Sequence, residues 1–160
     1  MSIDEMTHVD SQGRLKMVDV SEKDVTWREA RAEAAIIVSA ETLARICSGD
    51  IPKGNVLEAA RLAGIMAAKK TSELIPLCHQ IQLTGIDVDF FPDESKNEIR
   101  ISSRVKTNDR TGVEMEALVA VTIAALTIYD MCKAVDRGMN MRDAHLTFKT
   151  GGRSGQFERS

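Results

Sequence analysis

From Ala117 to Tyr129 the chain is apolar on almost every side, interrupted only by Thr122 and Thr127. A helix of that composition has no face to offer water, so other parts of the chain must cover it. The run is shorter than the ~20 residues that a bilayer crossing needs, and reads as a buried helix. A length of 160 residues allows one ordinary domain around it. Hydrophobic residues make up 43% and aromatic ones only 4%, so the core is built mainly from Ala, Val, Ile, Leu and Met. Small side chains let helices and sheet approach closely. They also leave a monomer core thin, which favours burial through assembly.

The rest of the pattern is mixed. Residues 1–14 are polar and read as a flexible N-terminal segment, which leaves 15–160 as the single domain. Met17-Val-Asp-Val20 reads as a short strand. Val25 to Val38 has helical composition at first, but its end, Ala35-Ile-Ile-Val38, favours strand. Ser39 caps a helix that Gly49 stops. A second helix covers about Asn55 to Lys70, with Val56, Ala59, Ala60, Ala63 and Ala67 at helical spacing. Pro76 breaks the chain. Ile86 to Phe90 and Ile99 to Val105 alternate as half-buried strands do, with Pro92 to Asn97 as the turn between them. The long helix runs from about Gly112 to Val135, and a last strand covers Ala144 to Lys149. Antiparallel strands with helices between them imply an α+β fold, a ferredoxin-like antiparallel sheet packed against helices.

Charge and cysteines narrow the function classes. The net charge of -3 does not suit a nucleic-acid binder. Cys47, Cys78 and Cys132 are widely spaced and form no CxxC or CxxH pair, so a cysteine-based zinc site is not expected. A reduced compartment, and the absence of an apolar signal segment from Met1 to Gly13, point to the cytoplasm. No GxxxxGK[ST] loop and no GxGxxG occur.

Three places carry more polar residues than packing requires. Leu77-Cys78-His79 follows the break at Pro76, and an imidazole titrates near neutrality. Thr111-Gly-Val-Glu-Met-Glu-Ala-Leu118 opens the long helix. Glu114 and Glu116 point about 200° apart there, so one of them can be an ordinary charge at the positive helix end. Tyr129-Asp-Met-Cys-Lys133 closes the same helix. Asp130 and Lys133 share a face at i, i+3. A surface ion pair is the bland reading of them. The apolar run before them suggests partial burial instead, where each protonation would be coupled to the other. Basic residues recur nearby: Lys53, Lys69, Lys70, Arg110, Lys149 and Arg153. Lys149 and Arg153 flank Gly151 and Gly152, and glycines let a backbone approach phosphate closely.

These segments, with Met17-Val-Asp-Val-Ser21, Ala63-Gly-Ile65, Leu74-Ile-Pro-Leu-Cys-His79, Ala124 to Ala134 and the tail from Lys149 to Gly155, resemble the cyclic pyranopterin monophosphate synthases, the molybdenum cofactor biosynthesis protein C family. The resemblance runs from about residue 8 onward. It implies an α+β hexamer, a trimer of dimers. It also implies a lyase that converts a cyclised dihydro-GTP into a tricyclic pterin with a cyclic phosphate, releasing pyrophosphate. By the same resemblance Asp130 is the catalytic acid/base and Lys133 its partner. Leu77, Cys78, His79, Met115 and Glu116 are substrate-binding, and Lys53, Lys69, Glu114 and Lys149 are further site residues. No metal and no cofactor are implied. Gln80 stands where the family commonly has Pro, and Arg110 where Lys is common. Two other classes remain: a ligand-binding oligomer that holds a nucleotide or pterin without turnover, and a structural interaction protein, which would not need the lysine set.

One geometric expectation concerns assembly. Glu116 and Asp130 are fourteen residues apart on one expected helix, which is roughly 21 Å of axis with an angular offset of about 40°. They share a face but sit near its opposite ends, so one small substrate would hardly touch both within a chain. A twofold axis that sets two such helices antiparallel would bring the start of one beside the end of its mate.

Overall fold

One face of β1 (Thr26–Ile37) is buried from Ala30 to Ile36, and this strand organises the whole sheet. Ala30, Ala32, Ala34 and Ile36 point to one side and are buried. They stand opposite Val105, Ser103, Ile101 and Ile99 of β3 (Glu98–Asp109). The computed structural model describes residues 8–160. After β1 come α1 (Ala40–Ser48), α2 (Val56–Ala68), the single turn α3 (Thr71–Leu74) and β2 (Leu83–Asp93). After β3 come α4 (Glu114–Cys132), β4 (Asn140–Thr150) and β5 (Phe157–Glu158). The strand order is β2-β3-β1-β4-β5, antiparallel at every pairing. The first four strands in that order give the ferredoxin-like split βαβ arrangement, and β5 adds an edge beyond it.

Small residues decide how closely the helices lie. Ala117, Ala120 and Ala124 of α4 are fully buried. A Cβ on Gly64 of α2 would stand 2.9 Å from the Ala120 carbonyl oxygen, so glycine lets α2 and α4 touch backbone to backbone. Ser103 Oγ donates to Ala117 O at 2.8 Å and ties β3 to α4. By length and composition alone, α4 is long enough and apolar enough to cross a membrane, longer than its apolar core run suggests. Its contacts with the sheet and with α2 make it the central core helix instead. Leu62 and Met66 of α2 and Leu126 of α4 nevertheless remain about half exposed or more.

The caps behave as the sequence suggests. Ser39 Oγ accepts from the Thr42 N–H, Gly49 ends α1 in the left-handed conformation, and the Asn55 side chain accepts from Glu58. One expectation fails. Residues 17–20 belong to no strand, because β1 is already paired on both edges, by β3 and β4. The segment instead runs over the start of α4, where the Val18 carbonyl accepts from a histidine. Part of the polar N-terminal segment, residues 1–7, lies outside the described residues. From His8 onward a turn closes on Asp10, whose carboxylate accepts from the Gln12 and Arg14 backbones. The edge strand β5 and the turn α3 had no clear sequence signal, since neither is long enough to show a period.

Candidate active site

The C-terminal end of α4 carries a carboxylate clamped by two ammonium groups. Lys133 Nζ lies 2.7 Å from Asp130 Oδ1. Lys53 Nζ lies 3.2 Å from Asp130 Oδ2 and donates to the Asp130 carbonyl at 2.9 Å. Helical spacing places Lys133. Lys53 arrives from the tight turn before α2, where Gly54 has φ 98° and its N–H reaches the Ile51 carbonyl. The hydrogen bond from Lys133, then that from Lys53, holds the Asp130 carboxyl below its usual range. The Asp130 hydrogen bond likewise raises Lys133. The expected partial burial is not found in the single chain, where the Asp130 side chain is 56% exposed and that of Lys133 54%. The apolar run stops at Tyr129, and no described element covers the next turn.

The N-terminal end of the same helix is built differently. Leu77, Cys78 and His79 line a recess of about 330 Å³ together with Glu114, Met115 and Glu116. Pro76 turns the chain out of α3 and points this segment at the helix start. His79 Nε2 donates to the Val18 carbonyl at 2.6 Å, so the segment before β1 holds the imidazole in place. Glu114 pairs with Lys149 across 3.2 Å, and Lys149 also donates to Ser154 Oγ. Glu116 is only 3% exposed. Burial pushes its carboxyl up to about 7, with a smaller push from Glu114. Burial also raises the Cys78 thiol, and Glu116 adds to it. Of the two glutamates, Glu114 is the one at the open helix end, and Glu116 is the one the fold has desolvated.

That burial has a measurable cost. A carboxyl raised from 4.5 to about 7 binds more protons folded than unfolded between those values. Stability is therefore lost as pH rises from 4.5 to 7, by about 3 kcal/mol. Glu116→Gln should be more stable than the wild type at pH 8 by an amount of that order, and the gap should close towards pH 4.5. Urea unfolding at both pH values checks this, and a gap independent of pH would contradict it.

The residues expected at the site do not all meet within one chain. Lys53, Asp130 and Lys133 form one group. Leu77, Cys78, His79, Glu114, Met115, Glu116 and Lys149 form another, fourteen residues away along α4. Lys69 joins neither; it caps α2 and lines a separate hollow with Ile65, Leu83 and Ile86. Sequence reasoning missed Arg28. It lies on the core-facing side of β1, in line with Ala30 and Ala32, and a charge at that point of an apolar alternation was the available signal. Its Nε and Nη2 donate to the Asp109 and Arg110 carbonyls at 2.9 and 3.1 Å.

Together these features define a class: an α+β protein with a carboxylate held between two lysines at one end of α4 and a polar recess lined by His79, Glu114 and Glu116 at the other. The chain matches the MoaC family over residues 17–152. The cyclic pyranopterin monophosphate synthase of Desulforapulum autotrophicum is 58% identical over 153 residues, covering 96% of this chain and 94% of the relative. The synthase of Listeria monocytogenes serotype 4a is 58% identical over 158 residues, 99% of this chain and 98% of the relative. That of Pelotomaculum thermopropionicum is 56% identical over 154 residues, covering 96% and 91%. The chain belongs to the MoaC family.

Proposed function

We propose that this protein is a lyase of molybdenum cofactor biosynthesis, a cyclic pyranopterin monophosphate synthase. It acts on (8S)-3',8-cyclo-7,8-dihydroguanosine 5'-triphosphate and releases pyrophosphate. The observation that carries the chemistry is the Asp130 carboxylate held between Lys133 and Lys53. At neutral pH this group is one anion between two ammonium donors. Closing the cyclic phosphate requires a ring hydroxyl to bond to the α-phosphorus. The bond from that phosphorus to the bridging oxygen breaks, and pyrophosphate leaves with the electron pair. The hydroxyl proton passes to the Asp130 carboxylate, and the ammonium of Lys133 stabilises charge building on the phosphate oxygens.

At the other end, Glu116 is suited to the heterocycle. A guanine-derived base offers a ring N–H and an exocyclic amine side by side, and a carboxylate can accept from both. A carboxyl titrating near 7 also takes and returns a proton readily when rings open and close. His79 lines the same recess.

The two ends work on one substrate in this reading because two chains contribute. Antiparallel pairing of α4 across a twofold axis would put one protomer's Asp130 group beside its partner's recess. It would cover apolar side chains such as Leu126, Leu62 and Met66, which one chain leaves exposed. It would also desolvate the Asp130–Lys133 pair and strengthen the coupling within it. The assembly we infer is a homohexamer, a trimer of dimers with sites at the dimer interface, located in the cytoplasm, with neither nucleic acid nor membrane as a partner. The direct test incubates purified protein with the cyclised nucleotide and measures pyrophosphate and the cyclic phosphate. Equal amounts of both are expected. A protein that binds the nucleotide without turnover would be a ligand-binding oligomer instead.

A further inference from the structure

Outside the two site groups, one carboxylate joins parts of the chain that are far apart in sequence. Asp136 lies just beyond the end of α4, and its Oδ2 accepts from the Ser39 N–H at 2.7 Å, across 97 positions. Its Oδ1 accepts from the Gly138 N–H at 3.0 Å. The residue itself is held as a continuation of the helix, because the Val135 and Asp136 N–H groups both donate to the Cys132 carbonyl, at 2.9 and 3.0 Å. Burial pushes the Asp136 carboxyl up, but the hydrogen bonds it accepts, those from the Ser39 and Gly138 N–H groups first, outweigh this and hold it below its usual range. It is therefore an anion at neutral pH. A carboxylate that only closed its own turn would stop at Gly138; the bond to Ser39 reaches the start of α1.

From Ser39, α1 leads straight to the turn that carries Lys53. Ser39 is the N-cap of α1, so a bond to its backbone is a bond to the helix. At the other end of α1 the turn is locked as well. The Asp50 N–H donates to the Arg45 carbonyl at 2.9 Å, and Arg45 Nε donates back to the Asp50 carbonyl at 3.1 Å. Ile51 is buried, and the Gly54 N–H donates to its carbonyl at 2.9 Å. Lys53 thus stands at the end of a stiff arm whose other end is fixed to the chain leaving α4. Burial raises the Cys132 thiol; Asp136 adds to this, and Arg45 and Lys53 oppose it, which places all three charges around the last turn of α4. Packing alone does not fix the arm, since α2 packs along α4 but α1 is not among its main partners.

We propose that Asp136 is a positioning residue for the reaction: by tethering α1 to the end of α4 it sets the Lys53 ammonium on Asp130. This rests on the acid–base role proposed for Asp130 above. Asp136 acts through Lys53 and not on the substrate. The Lys53 side chain is half-exposed, long and free to rotate, and water competes for its charge. Where its ammonium spends its time depends on where its backbone is held. With the arm fixed, the ammonium meets both the carboxylate and the carbonyl of Asp130. With the arm loose, Lys133 is left as the nearest charge on that carboxylate.

The test has two readouts on the full-length protein. One is the titration of the Asp130 carboxyl, followed by carbon-13 NMR of aspartate-labelled protein and assigned with Asp130→Asn. Lys133 and Lys53 are the charged groups that face this carboxyl. The other is turnover of the cyclised nucleotide. Asp130 should titrate at higher pH in Asp136→Ala, as it does in Lys53→Met, and no higher when the two changes are combined. Asp136→Asn keeps one acceptor for Ser39 and should fall between wild type and Asp136→Ala. In Asp136→Ala kcat should drop about ten-fold with KM little changed, and the double variant should be no slower than Lys53→Met alone. Should Asp136→Ala fail to fold, Asp136→Asn carries the same cycle with Lys53→Met. An unmoved Asp130 titration in the Asp136 variants, or losses of kcat that multiply in the double variant, would overturn the inference and leave the proposed function standing. A moved titration in a protein without turnover would support the tether and overturn the function.

Discussion

Asp130→Asn is expected to lower turnover of the cyclised nucleotide by about 100-fold or more, the usual scale for losing a general acid/base. Asn preserves the size of the side chain and one acceptor oxygen for Lys53, but it cannot take a proton at neutral pH. The substitution also leaves the Lys133 ammonium without the anion that raises its proton affinity. Folding should be spared. All three side chains of the cluster are about half exposed, so water already screens their attraction. The checks are the steady-state rate of pyrophosphate release, the far-ultraviolet circular dichroism and the oligomer size. Near-normal turnover by a properly assembled variant would remove Asp130 from the mechanism.

Most of the fold could be read from side-chain patterns, because the elements are long and each has a distinct period. The alternation in β2 and β3 and the caps Ser39, Gly49 and Asn55 all correspond to observed structure. Residues 17–20 misled because β-propensity says nothing of whether a partner edge is free. The site was legible in a different way. Asp130 and Lys133 follow from helical spacing, but Lys53 reaches the same carboxylate from 77 positions away, which no local pattern encodes. Burial of Glu116 and exposure of Asp130 were likewise hidden. Both lie on one face of α4, and what separates them is whether the Leu77–His79 segment covers that turn. Arg28 was overlooked because its surroundings depend on the tail folding back over the strand start, where Gly151 and Gly152 pack against it.

The second large effect is restoration of activity from two inactive proteins. Glu116→Gln should lose activity on the scale of Asp130→Asn, since Gln neither takes nor returns a proton. It should also be the more stable variant above neutral pH, because it removes a buried charge. If every site takes Glu116 from one chain and Asp130 from the other, a hybrid dimer holds one site with both changes and one site with neither. Random reassembly of equal amounts makes about half of the dimers hybrid, so roughly a quarter of the wild-type activity should return.

The measurement is the rate of pyrophosphate release after the two variants are dissociated, mixed and reassembled, with hybrids verified by differently tagged chains. Recovery to about a quarter of the wild-type rate, well above either variant reassembled alone, is the result that a site joining opposite ends of α4 from two chains predicts. Verified hybrids that stay as inactive as their parents would contradict it and place each site within a single chain.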